Sequence, residues 1–353
     1  MPSHLREQEE RAFVTAVVRA AVLKNYSEVA QSVGLKPGEM LRSVGLTLSM
    51  LSEPERMLSF DAVLKLLEDS AEHSGCSTFG LRMAETRQLS DFGVVSLLIS
   101  HQRTLRDALL TTIEYRHLLN QTLAMDLEIS GKTAVIREEV MADAGKPKRQ
   151  ANELALAILY RMCASLMGQQ WNPRSVHFSH SASADKQIYQ RVFRCKIIFD
   201  AEFDGIVCDT AALDLPNPKA DPAMASYARK FMESLPGTQQ ESIVFDVRKA
   251  IYLLMPVGRA TVEQIASGVA VSVRTLQRNL DEAGLTFSGL LNDVRRELAL
   301  RYMENRKYSV QRVGMMLGYA VPSSFTRWFC AEFGSSPRAW RNLKKMGNSV
   351  PAS

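Results

Sequence analysis

Cysteine is scarce in this chain of 353 residues, and no two cysteines are spaced as a functional pair. A disulfide framework needs a dense and usually even set of cysteines, and a structural zinc site commonly draws on CxxC pairs. The five cysteines are widely scattered: Cys76, Cys163, Cys195, Cys208 and Cys330. We therefore expect neither a disulfide scaffold nor a zinc site, and we expect a reducing, cytoplasmic compartment.

The short motifs that mark common enzyme sites are also missing. The chain has no GxSxG elbow, no GxGxxG after a strand pattern, no P-loop and no HExxH. His177 and His180 are three residues apart, but the pattern around them is that of a strand, in which they face opposite sides. We expect no catalytic residue, no metal and no cofactor, and hence no enzyme.

A long hydrophobic run is absent as well. The apolar stretch at 12–22 is interrupted by Arg19 and preceded by Glu7, Glu9 and Glu10, whereas a membrane helix needs about 20 mostly apolar residues. Neither a signal peptide nor a membrane span is expected. What is present is an ordinary globular composition, 46% hydrophobic and 23% charged, in a length that fits two domains.

Positive charge is concentrated towards the carboxyl end. Residues 259–345 hold 14 Lys and Arg against 7 Asp and Glu, whereas the whole chain has a net charge of only +5. A basic surface attracts a polyanion such as nucleic acid. Small helical domains can also be basic without such a partner, so the charge by itself leaves that alternative open.

The first 210 residues mix two kinds of hydrophobic pattern. Helix patterns lie at 60–71 and 153–167, and strand patterns lie at 124–130, 134–136, 175–178 and 196–199. The first two strand patterns flank Gly131 and Lys132, which predicts a β-hairpin. This alternation predicts a mixed α+β domain.

Proline and glycine mark the end of that domain. Pro216, Pro218 and Pro222 break regular structure, and the segment 234–240, which reads SLPGTQQ, breaks it again. From there onward the pattern is helical. We predict an α+β effector-sensing or dimerisation domain at 1–235, a linker at 234–240, and an all-α domain at 241–345.

The all-α part contains a helix-turn-helix pattern. Thr261 and Gln264 have the spacing of a capping box, and Ser272 is suited to cap the next helix. On that second helix Leu276 and Leu280 are placed to face inward at i, i+4 spacing. Arg and Gln side chains then point outward, as they do on a helix that reads bases in the major groove.

The pattern returns about 48 residues later, which a chance match rarely does. Ile265-Ala266 corresponds to Val313-Gly314, and after one inserted residue Leu276, Arg278 and Leu280 correspond to Phe325, Arg327 and Phe329. We place the two units at about 261–284 and 309–333. A helix predicted at 288–304 joins them and spans roughly 26 Å. Two recognition helices about one turn of DNA apart, ~34 Å, are therefore geometrically feasible.

The second unit carries a recognisable signature. Residues 318–329, GYAVPSSFTRWF, and 334–341, GSSPRAWR, resemble the AraC/XylS family of bacterial transcription regulators, and the match covers 243–341. The resemblance implies double-stranded promoter DNA as the partner. It also implies the DNA-binding residues Arg274, Thr275, Gln277, Arg278, Ser323, Ser324, Thr326 and Arg327. The alternative for each is a solvated helix face, and for Arg327 an ion pair with Glu332 or Asp281.

The amino-terminal part has a resemblance of its own. The segments 79–83, 104–109 and 172–180 resemble the arabinose-binding-like sensor domain of a subgroup that includes the ornithine-responsive and VirS-like regulators. This implies a small-molecule effector, although it identifies no effector-binding residue. A constitutive regulator whose amino-terminal domain only dimerises is the alternative. A homodimer is a further expected partner, as is RNA polymerase if the outcome is activation, and activation or repression stays open.

Two departures from the pattern bear on the prediction. Val321 stands where the family usually has an acidic residue, and Gly314 stands where it usually has alanine. Because valine cannot cap the helix that Pro322 opens, we expect a less well anchored second recognition helix. Residues 26–40 also resemble half a helix-turn-helix, but only Arg42 could read bases there, so we expect that segment to pack within the sensor.

Overall fold

A computed structural model describes residues 16–142, 146–234, 243–269 and 271–347, except the side chains of 344–347. These residues form two compact units, one of 16–142 with 146–234 and one of 243–347. The predicted linker lies outside the described residues beyond Ser234. The domain limits at 235 and 241 fall in the same gap and stay predictions.

The amino-terminal unit is rich in helices, most of them short. They are α1 Tyr26–Ser32, α2 Pro37–Ser43, α3 Leu48–Leu51, α4 Phe60–Ser74, α5 Phe79–Ala84, α6 Val95–Ser100, α7 Leu105–Glu114, α8 Arg149–Met167, α9 Gln187–Phe193, α10 Thr210–Leu213 and α11 Pro222–Ser234. The helices predicted at 60–71 and 153–167 are confirmed as α4 and α8. Both extend beyond their apolar patterns, α4 by three residues at its end and α8 by four at its start.

A five-stranded sheet completes this unit. Two short strands, β1 Val17–Arg19 and β2 Met57–Ser59, pair separately, and the sheet holds β3 Leu123–Ser130, β4 Thr133–Val140, β5 Ser175–His177, β6 Lys196–Ile198 and β7 Gly205–Asp209. The strand order is β3-β4-β7-β5-β6, with only β5 and β6 parallel. The predicted hairpin is confirmed, since Leu123 pairs with Val140 and Ser130 with Thr133.

Helix α8 lies at the centre of the hydrophobic core. It packs against α4, α5 and β4, and 13 of its 19 residues are buried. Such a helix reads as nearly continuous apolar sequence because it has neighbours on most of its circumference. Its amphipathic partner α4 begins at Ser59, whose side chain accepts from the Ala62 backbone N–H, and ends at Gly75 with a left-handed φ of 67°.

The described part of the second unit consists of helices only. They are α12 Ile243–Leu254, α13 Val262–Gly268, α14 Val273–Glu282, α15 Phe287–Glu304, α16 Val310–Met316, α17 Pro322–Phe333 and α18 Pro337–Gly347. The expected fold class, an α+β unit followed by an all-α unit with two helix-turn-helix pairs, is confirmed. The pairs are α13 with α14 and α16 with α17, and α15 joins them.

Candidate nucleic-acid interface

The first helix-turn-helix is defined by two capped helix starts. The Thr261 hydroxyl accepts from the Gln264 backbone N–H at 3.3 Å, and the Gln264 side chain accepts from the Thr261 N–H at 3.5 Å. At the next helix the Ser272 hydroxyl accepts from the Thr275 N–H at 3.1 Å. Both caps were expected from the sequence. They fix where α13 and α14 begin.

The recognition helix α14 has one buried face and one exposed face. Leu276 and Leu280 are almost completely buried, as expected. Three of the DNA-binding residues implied by the family resemblance are exposed: Arg274, Gln277 and Arg278. Arg278 approaches Glu282 at 3.7 Å with both side chains about two-thirds exposed (68% and 69%), so this pair holds the guanidinium only weakly.

Thr275 differs from those three residues. It is half-buried, and its hydroxyl lies 2.8 Å from the Ser272 hydroxyl at the start of α14. Its polar group is therefore already engaged at the helix start. Thr275 can contact DNA only while keeping or exchanging that hydrogen bond.

The second helix-turn-helix is capped at one helix start and not at the other. The Ser309 hydroxyl accepts from the Arg312 N–H at 3.0 Å and begins α16. At the start of α17, Val321 takes the extended N-cap conformation with no side-chain hydrogen bond, and Pro322 follows it. The missing cap predicted from the sequence is confirmed. The Ser324 N–H there donates to the Val321 carbonyl at 3.1 Å and Pro322 has no N–H, so backbone bonding rather than a side-chain cap closes the first turn of α17.

Recognition helix α17 exposes fewer polar side chains than α14. Phe325 and Phe329 are fully buried, whereas Ser323 and Arg327 are exposed and Ser324 is half-buried. Thr326, also half-buried, donates its hydroxyl proton to the Pro322 carbonyl at 3.1 Å. The eight predicted residues thus lie on the two recognition helices, but they differ in exposure and in whether their polar groups are already hydrogen-bonded.

The alternative ion pair for Arg327 does not match the structure. The Glu332 carboxylate accepts from the Arg296 guanidinium, with the two groups 2.9 Å apart. Among the residues the structure describes, Arg327 itself makes no ion pair. It remains an exposed cation on the outer face of α17.

Aromatic side chains fill the space behind α17. The ring centroids of Phe329 and Phe333 are 4.5 Å apart, and Phe329 and Trp340 meet edge to face at 6.2 Å. Trp328 packs against Tyr319, with centroids 5.7 Å apart. Burial raises the pKa of the Tyr319 hydroxyl. Phe329 is fully buried and the other rings are half-buried against one another, which agrees with the expected packing role and not with an exposed surface on which bases stack.

Helix α15 is tied to the second helix-turn-helix and to α12 by three side chains that follow one another in the sequence. Arg296 joins it to α17 through Glu332, Arg295 donates to the Leu317 carbonyl at 3.0 Å, and Glu297 pairs with Arg248 of α12. Arg295 also lies over the Tyr319 ring, 4.9 Å from its centroid. The sequence predicts this helix but not these contacts, and the charged run Arg295-Arg296-Glu297 was the only available signal, because successive positions on a helix face different directions.

The half helix-turn-helix at 26–40 packs inside the amino-terminal unit. It forms α1 and α2, and Tyr26, Ala30 and Leu41 are fully buried in the core. Arg42 is exposed on its own. The expectation of packing within the sensor is confirmed.

Metal-binding clusters and membrane-spanning helices are both absent from the described residues of the two compact units. No cluster of three or more His, Cys, Asp or Glu side chains there is arranged to hold a metal ion. His177 instead lies 2.9 Å from the Ser175 hydroxyl and stacks on Phe203. Throughout the described ranges, no helix has the length and apolar character needed to cross a membrane.

Two segments of the chain match known protein families. Residues 34–217 match the arabinose-binding domain of AraC transcription regulators, and residues 249–343 match a helix-turn-helix domain. The chain belongs to the AraC family of transcription regulators. The first match covers more than half of the chain, and the second contains both recognition helices.

Full-length relatives agree with this membership. VirS of Mycobacterium tuberculosis is 29% identical over 336 residues, which cover 92% of this chain and 96% of that protein. The ornithine utilization regulator of Pseudomonas aeruginosa is 24% identical over 331 residues, covering 93% and 97%. The crystal structure of the regulator CdpR from Pseudomonas aeruginosa covers 74% of this chain and 86% of that one, with 18% identity and a TM-score of 0.38.

This AraC-family chain is therefore a DNA-binding transcription regulator, and the relatives named above are regulators rather than enzymes. Gly314, a departure from the family pattern, has a local explanation. A Cβ atom at this position would come within 3.1 Å of the Phe325 side chain. The position accommodates a ring that packs unusually close to the backbone of α16.

Proposed function

We propose that the regulator reads promoter DNA through the outer faces of α14 and α17. The proposed base- and phosphate-contacting residues are Arg274, Thr275, Gln277, Arg278, Ser323, Ser324, Thr326 and Arg327. The observation that carries this proposal is the division of each helix into a buried apolar face and an exposed face with arginine. Arginine can bridge guanine O6 and N7, glutamine can pair with adenine, and hydroxyls bind bases or phosphates.

The first helix-turn-helix, α13 with α14, is proposed to contribute more to base selection than the second. Helix α14 starts at a satisfied cap and exposes Arg274, Gln277 and Arg278 together. Helix α17 starts without a side-chain cap, and the Thr326 hydroxyl is bonded to its own backbone. A pre-ordered helix loses less conformational entropy when it binds, which favours base contacts from α14.

The experiment compares three alanine variants on the intact protein. Arg278→Ala should weaken binding to the promoter about 5- to 150-fold and relax the preference for one base pair, since a bidentate contact is worth ~1 to 3 kcal/mol. Arg327→Ala should have a smaller effect on specificity. Arg42→Ala removes another exposed cation, from the amino-terminal unit, and should leave binding unchanged.

The measurement is a gel-shift titration against the bound promoter and a set of single-base variants of it. Chromatin precipitation supplies the promoter sequence. A larger loss of specificity for Arg327→Ala than for Arg278→Ala would reverse the weighting of the two units. Weakening by Arg42→Ala would show that the amino-terminal unit touches DNA.

We propose further that a small-molecule effector binds the amino-terminal unit and changes DNA affinity. An apolar cavity inside that unit supports this, because packed interiors rarely leave space larger than a water molecule. A regulator that only dimerises through this unit would gain nothing from such a cavity. By linkage, an effector that changes promoter affinity must have its own affinity changed by the same factor, typically 5- to 150-fold.

A thermal-shift screen of the intact protein against small metabolites tests the effector proposal. A true effector raises the melting temperature by mass action and then shows different affinities with and without promoter DNA. A ligand whose affinity is the same with and without promoter DNA would favour the alternative that the amino-terminal unit only dimerises. A homodimer, RNA polymerase as a partner if the regulator is an activator, and a cytoplasmic location remain predictions.

A further inference from the structure

The amino-terminal cavity has a volume of about 110 Å³ and lies within one unit. One wall is a face of the β3–β4 hairpin, where the cross-strand pairs Leu123 with Val140 and Met125 with Glu138 line it. Helices α4 and α8 line the other side with apolar residues. An apolar cavity of about 150 Å³ takes a benzene molecule, so this one, with about three-quarters of that volume, suits an apolar body of roughly four or five non-hydrogen atoms.

Glu138 is the exception on this apolar wall. It is only 5% exposed, and its Oε2 atom has no hydrogen-bond partner among the described residues. Its neighbours on the strand are matched, since Arg137 pairs with Glu128 at 3.0 Å and Lys148 with Glu139 at 2.8 Å. A buried carboxyl oxygen without a donor is costly and rare in native structures. The cavity therefore presents one unmet hydrogen-bond acceptor.

The cations that line the cavity are largely engaged. The Arg19 guanidinium donates to Glu55 at 2.8 Å, and the two terminal nitrogens of Arg87 donate to the backbone carbonyls of Ala21 and Val22. Of the N–H groups of these two arginines, only the Arg87 Nε–H lacks an acceptor among the described atoms. An anionic ligand could accept from only a single N–H of Arg87, because the two terminal nitrogens of its guanidinium are already engaged. We therefore consider Glu138, which lacks a donor, the stronger anchor for a ligand.

We propose that this cavity binds a small, predominantly apolar primary amine whose head group donates to the Glu138 carboxylate. The inference rests on the effector control proposed above and names the chemical class of the effector. Burial raises the pKa of Glu138 to about 8, still below the value of about 10.4 typical of an alkylamine. In neutral solution the amine is therefore already an ammonium ion, and on binding Glu138 releases its proton to solvent. The resulting charge-assisted hydrogen bond is about twice as strong as a neutral one.

Matched five-carbon probes test the head group: pentylamine, 1-pentanol and pentanoate. Each is titrated at millimolar concentration into the intact protein without DNA, and binding is followed by ligand-observed NMR. Pentylamine should bind about five- to tenfold more tightly than 1-pentanol, because a charged donor replaces a neutral one. Pentanoate should bind most weakly, since its negative charge would be buried beside Glu138, which offers at most one neutral O–H donor.

Two variants separate the head group from the cavity. Glu138→Gln keeps the shape but removes the charge, so it should weaken pentylamine at least about tenfold and change 1-pentanol less than about threefold. Ala155→Leu extends a lining residue of α8 into the space and should weaken both. Circular dichroism and thermal melts confirm that each variant folds.

Equal binding of amine and alcohol, or an unchanged amine affinity in Glu138→Gln, would overturn the proposal. Tightest binding of pentanoate would overturn it in favour of an anion at Arg87. No binding of any probe would remove the cavity as a ligand site, yet effector control could still be found in the metabolite screen. Conversely, amine binding without any change in promoter affinity would uphold the site and refute the effector control.

Discussion

The uncapped start of α17 offers a direct test of how the second recognition helix is held. Val321 already has the extended backbone of an N-cap residue, with φ −119° and ψ 124°, and its side chain is 54% exposed. Val321→Ser therefore needs no backbone change and creates no clash. By analogy with Ser272 and Ser309, the new hydroxyl would accept from the N–H three residues on, that of Ser324, which now donates to the Val321 carbonyl at 3.1 Å.

The expected gain follows from that single hydrogen bond. A serine cap is worth ~0.5 to 2 kcal/mol relative to a residue that cannot cap, and because the Ser324 N–H already has the Val321 carbonyl as acceptor we expect the lower end, about 0.5 kcal/mol. For a unit of this size, that gain raises the melting temperature by about 2 °C. If the start of α17 limits DNA binding, promoter affinity rises by at most about twofold, because 0.5 kcal/mol corresponds to roughly that factor.

Thermal melts of the intact protein and hydrogen exchange of peptides covering 321–333 measure the effect. Ser309→Ala serves as the opposite control, since it removes an existing cap from α16 and should cost about 1 kcal/mol. Val321→Ala should gain nothing, because it supplies no acceptor. If Val321→Ser changes neither the melting temperature nor the exchange while Ser309→Ala destabilises, the start of α17 is not a weak point and the reasoning fails.

Three further predictions follow from the same structure. The fragment 241–353 should fold and bind the promoter alone, with affinity falling steeply as salt rises because phosphate contacts release counterions; a helical fragment with no gel shift at low salt would contradict this. Because the pKa of Glu138 is raised from 4.5 to about 8, its contribution to stability is fully present below about pH 4.5 and falls by about 1.4 kcal/mol per pH unit up to about pH 8. Urea unfolding at pH 5 and 7 should therefore show a stability advantage of Glu138→Gln that grows with pH, and a constant difference would refute it. Inserting ten Gly/Ser residues at 234–240 should reduce the coupling between effector and promoter affinity if contact between the domains transmits it; undiminished coupling would argue against transmission by contact.

Local signals in the sequence predicted the helices of the carboxyl-terminal unit well. Thr261, Gln264 and Ser272 are short polar side chains whose hydrogen bonds reach only three residues along the chain, so their spacing alone fixes the helix starts. The repeat then transferred the inner positions of α14 onto Phe325 and Phe329, both of which are buried. Helix periodicity and capping are local properties, and no tertiary information is needed to read them.

Long-range partners could not be predicted in the same way. Glu332 was one of two carboxylates considered for Arg327, but Arg296 of α15 reaches it across 36 residues. Glu138 lies in the run Arg137-Glu138-Glu139, which in a sequence reads as an exposed charged patch. Only the hairpin register shows that residue 138 shares a face with Ile136 and Val140. A lone carboxyl in a period-two apolar pattern was the available signal.

The two recognition helices are held at opposite ends. Helix α14 is fixed at its start, where its cap precedes the residues proposed to read bases. Helix α17 is fixed towards its end, where Phe329 and Phe333 pack in the aromatic cluster and Glu332 pairs with Arg296. Its proposed DNA contacts, at 323–327, lie in the first two turns, beside the missing cap. That half is ordered instead by Pro322, by the hydrogen bond from the Ser324 N–H to the Val321 carbonyl and by the buried Phe325 ring. The proposed weighting towards α14 therefore rests on its side chains, since α14 exposes Arg274, Gln277 and Arg278 whereas α17 exposes only Ser323 and Arg327 among the proposed contacts.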